Sequence, residues 1–158
     1  MAKPRRTPAG AALTDLIMDI FRLNSRLLTS GDRLVTHLGL TSARWQVLGA
    51  IVAAVRPQPV SWLARDLGAN RQNVQRIVDD LAGMGLVAFE HNPHHRRALL
   101  VLLTATGKKV FDDAMALQAP WVNGLAAGLS VKEIETVQRV FASVRERLDQ
   151  AKGDDGED

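Results

Sequence analysis

Cysteine is absent from this chain of 158 residues, and so is any long apolar run. Without cysteine the chain forms no disulfide, no thiolate metal site and no thiol-based redox sensor, which is compatible with a reducing cytoplasm. No apolar run approaches the roughly 20 residues of a membrane span, and residues 1–10 lack the apolar core of a secretion signal. We therefore expect a cytoplasmic protein with no membrane partner.

Patterns typical of enzymes are also missing. The sequence contains no cysteine nucleophile, no glycine-rich phosphate loop and no pair of acids flanked by apolar residues. The neighbouring acids Asp79 and Asp80 fall on a predicted helix, where adjacent side chains point about 100° apart, and we interpret them as solvated. We expect no enzymatic activity and no cofactor.

Charge is distributed unevenly along the chain. Residues 1–110 carry 15 Lys and Arg against 7 Asp and Glu, a net charge of +8, in a chain whose total is +3. Residues 111–158 carry 5 against 10, a net charge of −5. This distribution favours a polyanionic partner for the N-terminal portion, and ordinary scatter of surface charge is the alternative interpretation.

The segment from Ser61 to Thr104 carries the most informative pattern. Ser61 can cap a helix through Leu67, Gly68 suits a turn with positive φ, and Asn70 can cap a second helix. These capping and turn residues predict a helix-turn-helix, a motif whose second helix reads the DNA major groove.

The first turns of the second helix carry side chains whose geometry suits guanine and adenine edges. These candidate contacts are Arg71, Gln72, Asn73, Gln75 and Arg76. We add the two capping residues, Ser61 and Asn70, to the candidate DNA contacts.

A β-hairpin is predicted after these helices. Strand patterns at residues 86–89 and 99–103 flank turn chemistry at residues 92–95. Arg96 and Arg97 lie just past the tip, where a guanidinium group can reach phosphate or a narrow minor groove. Two arginines on a loop are more often solvated, but their place after a helix-turn-helix favours contact with DNA.

Three histidines of the hairpin, His91, His94 and His95, could approach one ion. They have neither cysteine nor a well-placed carboxylate to complete a structural zinc site, so we expect no metal.

Amphipathic helices are predicted on both sides of this segment. Residues 11–38 place apolar side chains at helical spacing, and residues 41–55 form a second helical pattern. Thr104 can cap a further helix, in which Pro120 predicts a break or a kink, and S-V-K-E at residues 130–133 predicts a capping box before the last helix.

The terminal helices pose a problem of burial. Both carry broad apolar stripes that a compact helix-turn-helix core does not cover. A twofold homodimer in which these helices interlock solves the problem, and an intrachain bundle is the alternative.

Four motifs in this order resemble the MarR family of winged-helix transcriptional regulators. They are L-T-S-A-R-W-Q-V-L at residues 40–48, L-A-R-D-L-G at 63–68, N-R-Q-N-V-Q-R-I-V-D-D-L-A-G-M-G-L-V at 70–87, and N-P-H-H-R-R-A-L-L-V-L-L-T at 92–104. The resemblance extends from about Ala11 to Gln150. It implies a homodimer that binds a pseudopalindromic operator in double-stranded DNA, usually as a repressor, through a recognition helix at about residues 70–83.

The wing departs from the family pattern at one position. By resemblance, Arg97 matches the arginine of the family's D-x-R motif, but His95 stands where the motif has aspartate. A neutral imidazole cannot form the orienting ion pair, so Arg96 could share the contact. Protonated His95 would add positive charge, and binding would then strengthen as pH falls. We include His95 in the candidate DNA contacts.

The resemblance also implies a small effector, often aromatic or anionic, in a cleft beside the dimerisation helices. His37, Arg44 and Trp45 could converge on such a cleft. Core packing is the alternative role of Trp45.

The predicted fold is mostly α with a small β-hairpin wing, a winged helix-turn-helix core with N- and C-terminal dimerisation helices. Its parts are a basic flexible arm at residues 1–10, one domain at 11–150, and an acidic disordered tail at 151–158. Within the domain, the winged helix-turn-helix spans about 41–104 and the dimerisation helices about 11–38 and 105–150. Two alternative functions are a non-specific or architectural DNA-binding protein and a protein-interaction module.

Overall fold

The computed structural model describes residues 5–154, and the predicted class, mostly α with a β wing, is confirmed. Six α-helices, one 3-10 turn and three short strands make up this part of the chain. In order they are α1 (Pro8–Val35), the 3-10 turn (Thr36–Leu38), α2 (Ser42–Ala53), β1 (Gln58–Pro59), α3 (Val60–Asp66), α4 (Arg71–Gly83), β2 (Val87–Glu90), β3 (Leu100–Leu103), α5 (Ala105–Leu125) and α6 (Val131–Asp154).

The terminal helices are longer than their sequence patterns indicate. Helix α1 begins at Pro8, three residues before the predicted start, because the Thr7 hydroxyl accepts a hydrogen bond from the Gly10 amide over 3.0 Å. The predicted arm therefore loses residues 8–10 to this helix, and residues 1–4 lie outside the described part. Likewise α6 continues through Asp154, within the predicted tail, whose residues 155–158 are not described.

Helix α3 begins at Val60, two residues earlier than a cap at Ser61 predicts. Pro59 precedes it in an extended conformation, with φ −71° and ψ 155°, and the buried Val60 is its first residue. The predicted cap at Ser61 is wrong, since Ser61 lies inside the first turn. Proline fixes φ before the helix starts, so the chain needs no side-chain cap at this point.

The sheet contains one strand more than the predicted hairpin. Strands β2 and β3 pair antiparallel, with Val87 opposite Leu103, and β1 adds to the other edge of β3 with Gln58 opposite Val101. Pro59 is tolerated because β1 is an edge strand. The extra pairing fixes the base of the hairpin to the start of α3.

A single apolar cluster fills the interior of the winged helix-turn-helix. Helix α4 contributes Val74, Ile77, Val78 and Leu81, whose i, i+3, i+4, i+7 spacing turns one face inward. The other buried members come from the preceding helices, the loop before α2, the strand region and α5. They are Val35, Leu40, Val47, Leu48, Ile51, Val60, Leu63, Ala64, Leu86, Val87, Val101 and Ala114.

Helix α5 passes through Pro120 without a break. Thr104 caps it as predicted, accepting from the Gly107 amide over 2.9 Å, and the helix continues to Leu125. The predicted break near Ala119 is wrong, whereas the kink that we gave as its alternative stays a prediction. Proline removes one backbone hydrogen bond, and the helical turns on both sides outweigh that loss.

The chain divides after Gln118 into two compact units. In the second unit, the predicted capping box starts α6: the Glu133 carboxylate accepts from the Ser130 amide over 2.8 Å, and the Ser130 hydroxyl accepts from the Glu133 amide over 3.2 Å. Hydrogen bonding from the hydroxyl and the amide of Ser130 lowers the pKa of Glu133. None of the described helices combines the length and apolarity needed to cross a membrane.

Candidate nucleic-acid interface

The turn between α3 and α4 has the predicted chemistry. Gly68 has φ +61°, and its amide donates to the Arg65 carbonyl over 3.0 Å. The Asn70 side-chain oxygen accepts from the amides of Gln72 and Asn73, over 2.8 and 3.3 Å, so Asn70 caps α4 as predicted. These contacts set the start of the recognition helix at Arg71.

One polar stripe of α4 lies away from the core. Arg71, Gln75 and Asp79 follow one another at i, i+4 spacing. The buried face of the helix, formed by the four apolar residues named above, lies beside this stripe. This stripe includes two of the predicted DNA contacts, together with an acid that we had interpreted as solvated.

An open cavity of about 230 Å³ lies between α4, the start of α3 and the wing. Its polar lining brings together residues that are far apart in sequence, namely Ser61, Arg71, Gln75, Asp79 and Arg97. Four of these five were predicted contacts. Ser61 therefore lines this surface although its predicted capping role is wrong.

The wing is ordered around a buried asparagine. Asn92 is only 8% exposed, and its side-chain oxygen accepts from the His94 amide over 3.0 Å. Its carbonyl accepts from the His95 amide over 3.2 Å, and the His95 carbonyl accepts from the Ala98 amide over 3.0 Å. These two consecutive turns place Arg97 at the cavity, while the sequence pattern had indicated only turn chemistry at Asn92.

The exposed wing side chains do not all reach the same place. His95 and Arg96 are exposed but do not line the cavity. Among the described residues no carboxylate forms an ion pair with Arg97. Within residues 5–154, no group of three His, Cys, Asp or Glu side chains is arranged to hold a metal ion.

Asp79 and Asp80 are not simply solvated, which corrects our interpretation of this pair. The Gln75 side-chain nitrogen donates to Asp79 over 2.9 Å. Asp80 accepts from Arg44 over 3.2 Å, and Arg76 lies 3.8 Å from the same carboxylate oxygen. Spacing of i, i+4 within a helix could have indicated the bond between Gln75 and Asp79, whereas the bond from α2 to α4 depends on tertiary packing.

Gln72, Arg76 and Asp80 form a second polar stripe of α4, also at i, i+4 spacing. The bonds of Asp80 hold this stripe in place. Arg76 donates to the Asn73 side chain over 3.0 Å, and Arg44 links the same stripe to the start of α2. Gln72 and Arg76 are exposed at the surface of the helix. Helix α4 thus carries predicted DNA contacts on two neighbouring stripes.

The three predicted effector residues lie in different settings. His37 is exposed on the 3-10 turn, Arg44 is paired with Asp80, and Trp45 packs against the apolar core. Packing of Trp45 was the alternative that we had weighed. None of the three lines the cavity beside the wing, and their role toward an effector stays a prediction.

The family model described as MarR family matches residues 38–98, which include the helix-turn-helix and most of the wing. Residues 38–98 therefore belong to the MarR family. The described residues have the winged-helix fold of solved MarR-family transcription regulators, one of which superimposes with a TM-score of 0.75 at 22% identity over 90% of this chain and 94% of that one. An uncharacterized protein of Mycobacterium tuberculosis is 42% identical over 97 residues, covering 61% of this chain and 66% of the relative, just under two thirds of the relative's length.

Other relatives have named roles in transcription. The transcriptional activatory protein BadR of Rhodopseudomonas palustris is 31% identical, covering 61% of this chain and 57% of BadR. The transcriptional repressor MprA of Escherichia coli K12 is 25% identical, covering 90% of this chain and 80% of MprA. A solved structure of the repressor CouR on a 23-mer DNA duplex superimposes with a TM-score of 0.74, covering 89% of this chain and 99% of CouR at 22% identity, which shows the shared fold.

Proposed function

We propose that this MarR-family chain binds double-stranded DNA sequence-specifically, as a homodimer on a pseudopalindromic operator, and acts as a repressor. The observation that carries the proposal is the cavity at which Arg71 and Gln75 of the recognition helix meet Arg97 of the wing. Base-reading and phosphate-binding side chains thereby share one surface, which is what a winged helix requires.

The cavity suits the sugar-phosphate backbone of a duplex. A recognition helix in the major groove and a wing at the adjacent minor groove leave one strand of backbone between them. Arg97 and Ser61 are among the residues that line this space. Arginine binds phosphate oxygens through paired N–H donors, so this lining supplies both charge and hydrogen bonds.

Exposed apolar side chains support the homodimer. In the first unit, Phe21 of α1 is 64% exposed, and Met18, three residues earlier on the same side of the helix, is 48% exposed. In the second unit, Val137 and Val140 of α6 are 46% and 40% exposed. Clusters of exposed apolar side chains mark protein interfaces. A twofold partner would present two recognition helices to half-sites about 34–36 Å apart.

Selection of bound sites from random duplex DNA tests this proposal. We expect enrichment of an inverted repeat whose half-sites are one helical turn, about 10 base pairs, apart. Binding without enrichment of any sequence would instead indicate an architectural DNA-binding protein, and no binding to duplex would indicate a protein-interaction module. A reporter gene placed behind the enriched site then separates repression from activation.

Two arginines are expected to differ in what they contribute. Arg71→Ala should relax preference at one base pair by about 1–3 kcal/mol, because a recognition-helix arginine reads a base edge. Arg97→Ala should weaken binding to all sequences about equally and lower the salt dependence by about one phosphate contact. Titration of each variant against the selected site and its single-base variants at several salt concentrations measures both effects. The reverse pattern would contradict these roles.

A small aromatic or anionic effector stays a prediction. Another structure of CouR, from Rhodococcus jostii RHA1, is bound to p-coumaroyl-CoA. In the present chain an anion that approached Arg44 would compete with Asp80 for the guanidinium group and would thereby act on α4. The cytoplasmic location also stays a prediction.

A further inference from the structure

The bond between Gln75 and Asp79 restricts what Gln75 can offer to DNA. The Gln75 side-chain nitrogen donates to an Asp79 oxygen over 2.9 Å across one turn of α4. An ionised carboxylate only accepts hydrogen bonds, so it must face the amide nitrogen of Gln75 rather than its oxygen. One of the two amide hydrogens is therefore already engaged before DNA binds.

The remaining groups of Gln75 match adenine and not guanine. One N–H and the side-chain oxygen are left, and adenine presents an acceptor at N7 beside a donor at N6. Guanine presents two acceptors, N7 and O6. A free amide group could rotate and offer either hydrogen to guanine N7 or O6, whereas an amide held by Asp79 keeps one hydrogen away from the base and its oxygen beside the other.

The position of the pair agrees with contact to DNA. Gln75 and Asp79 both line the cavity that also contains Arg71 and Arg97. The Asp79 carboxylate repels nearby phosphates, so it lowers general affinity for DNA while it orients Gln75. Its two effects have opposite signs and can be measured separately.

We propose that Asp79 is a positioning residue that makes Gln75 select adenine over guanine at one base pair of each half-site. This inference rests on the proposed function, namely sequence-specific binding. Asparagine in place of Asp79 removes the charge but keeps an oxygen that can accept a hydrogen bond from Gln75, so Asp79→Asn separates the effect of charge from the effect of the hydrogen bond.

Site selection and binding titrations with three variants test the inference. Gln75→Ala identifies the base pair at which preference is lost. At that pair the wild-type chain should bind adenine about tenfold or more tightly than guanine, and Asp79→Ala should reduce this ratio to below about threefold. Asp79→Ala should also raise affinity for random duplex. Asp79→Asn, which removes the same charge but keeps an acceptor for Gln75, should raise random-duplex affinity but keep the adenine preference.

Several results would overturn the inference. Guanine or cytosine at the Gln75 position would do so, and cytosine would indicate that the Asp79 carboxylate reads the base itself. An unchanged ratio of adenine to guanine in Asp79→Ala, or an equal loss in Asp79→Asn, would also contradict it. Failure of the wild-type chain to enrich any sequence would instead contradict the proposed function.

Discussion

Glutamate in place of Phe21 should raise the dissociation constant of the homodimer by more than about a hundredfold, and operator binding should fall with it. Phe21 is 64% exposed on α1, so the single chain loses little when it is replaced. In a twofold interface the change places two unpaired carboxylates against apolar surface, each at a cost of several kcal/mol. Sedimentation velocity over a concentration series measures the shift from dimer to monomer.

Ala12→Glu provides the matched control for this change. Ala12 is also exposed on α1, nine residues earlier and so about half a turn around the helix from Phe21. The same charge at this position should leave the dimer intact. If Phe21→Glu stayed dimeric, or if both variants dissociated equally, the apolar face around Phe21 would not be the dimer contact.

Alanine in place of Gly107 should lower the free energy of unfolding by about 3 kcal/mol. Gly107 is buried in the first turn of α5, and a Cβ atom at this position would overlap the carbonyl oxygen of Leu86. It would also lie 3.0 Å from a methyl group of Leu103. Because a backbone carbonyl cannot rotate away as a side chain can, α5 would have to move off the strands. The midpoint of urea unfolding measures the loss.

Gly124→Ala is the control within the same helix. Apart from the backbone of the helix itself, no atom lies within 4 Å of a Cβ atom built at Gly124. The change therefore only raises the helix propensity of this position. We expect it to raise the free energy of unfolding by about 0.5–1 kcal/mol. Equal destabilisation by the two substitutions would show that the close approach to Leu86 is not the cause.

Local signals predicted the helix-turn-helix well. Gly68 supplies the positive φ of the turn, Asn70 caps α4 with two backbone amides, and Ser130 with Glu133 forms the capping box of α6. Each of these features depends on residues within a few positions of one another, and short-range chemistry is visible in a sequence.

Features that depend on distant partners were missed. Strand β1 consists of two residues and exists because Gln58 and Pro59 pair with β3, more than 40 residues away. The link from Arg44 to Asp80 likewise joins two helices whose relative position no local pattern indicates. In α5, continuation through Pro120 reflects the stability of the flanking turns, which outweighs the local preference of proline for a break.

The wing was predicted in part. The hairpin and the place of Arg97 followed from turn residues and strand spacing, whereas the burial of Asn92, which orders the tip, did not. Arg97 lines the cavity with Arg71, which agrees with its proposed contact. The contributions of His95 and Arg96 to binding stay predictions.

Sequence-specific binding is tested most directly by the ratio of two affinities, one for the selected inverted repeat and one for random duplex of equal length. We predict that competition titrations at physiological salt give a ratio of about a thousandfold or more. Such a ratio requires base reading by the recognition helix in addition to phosphate contacts. A ratio near one would contradict sequence-specific regulation through this surface.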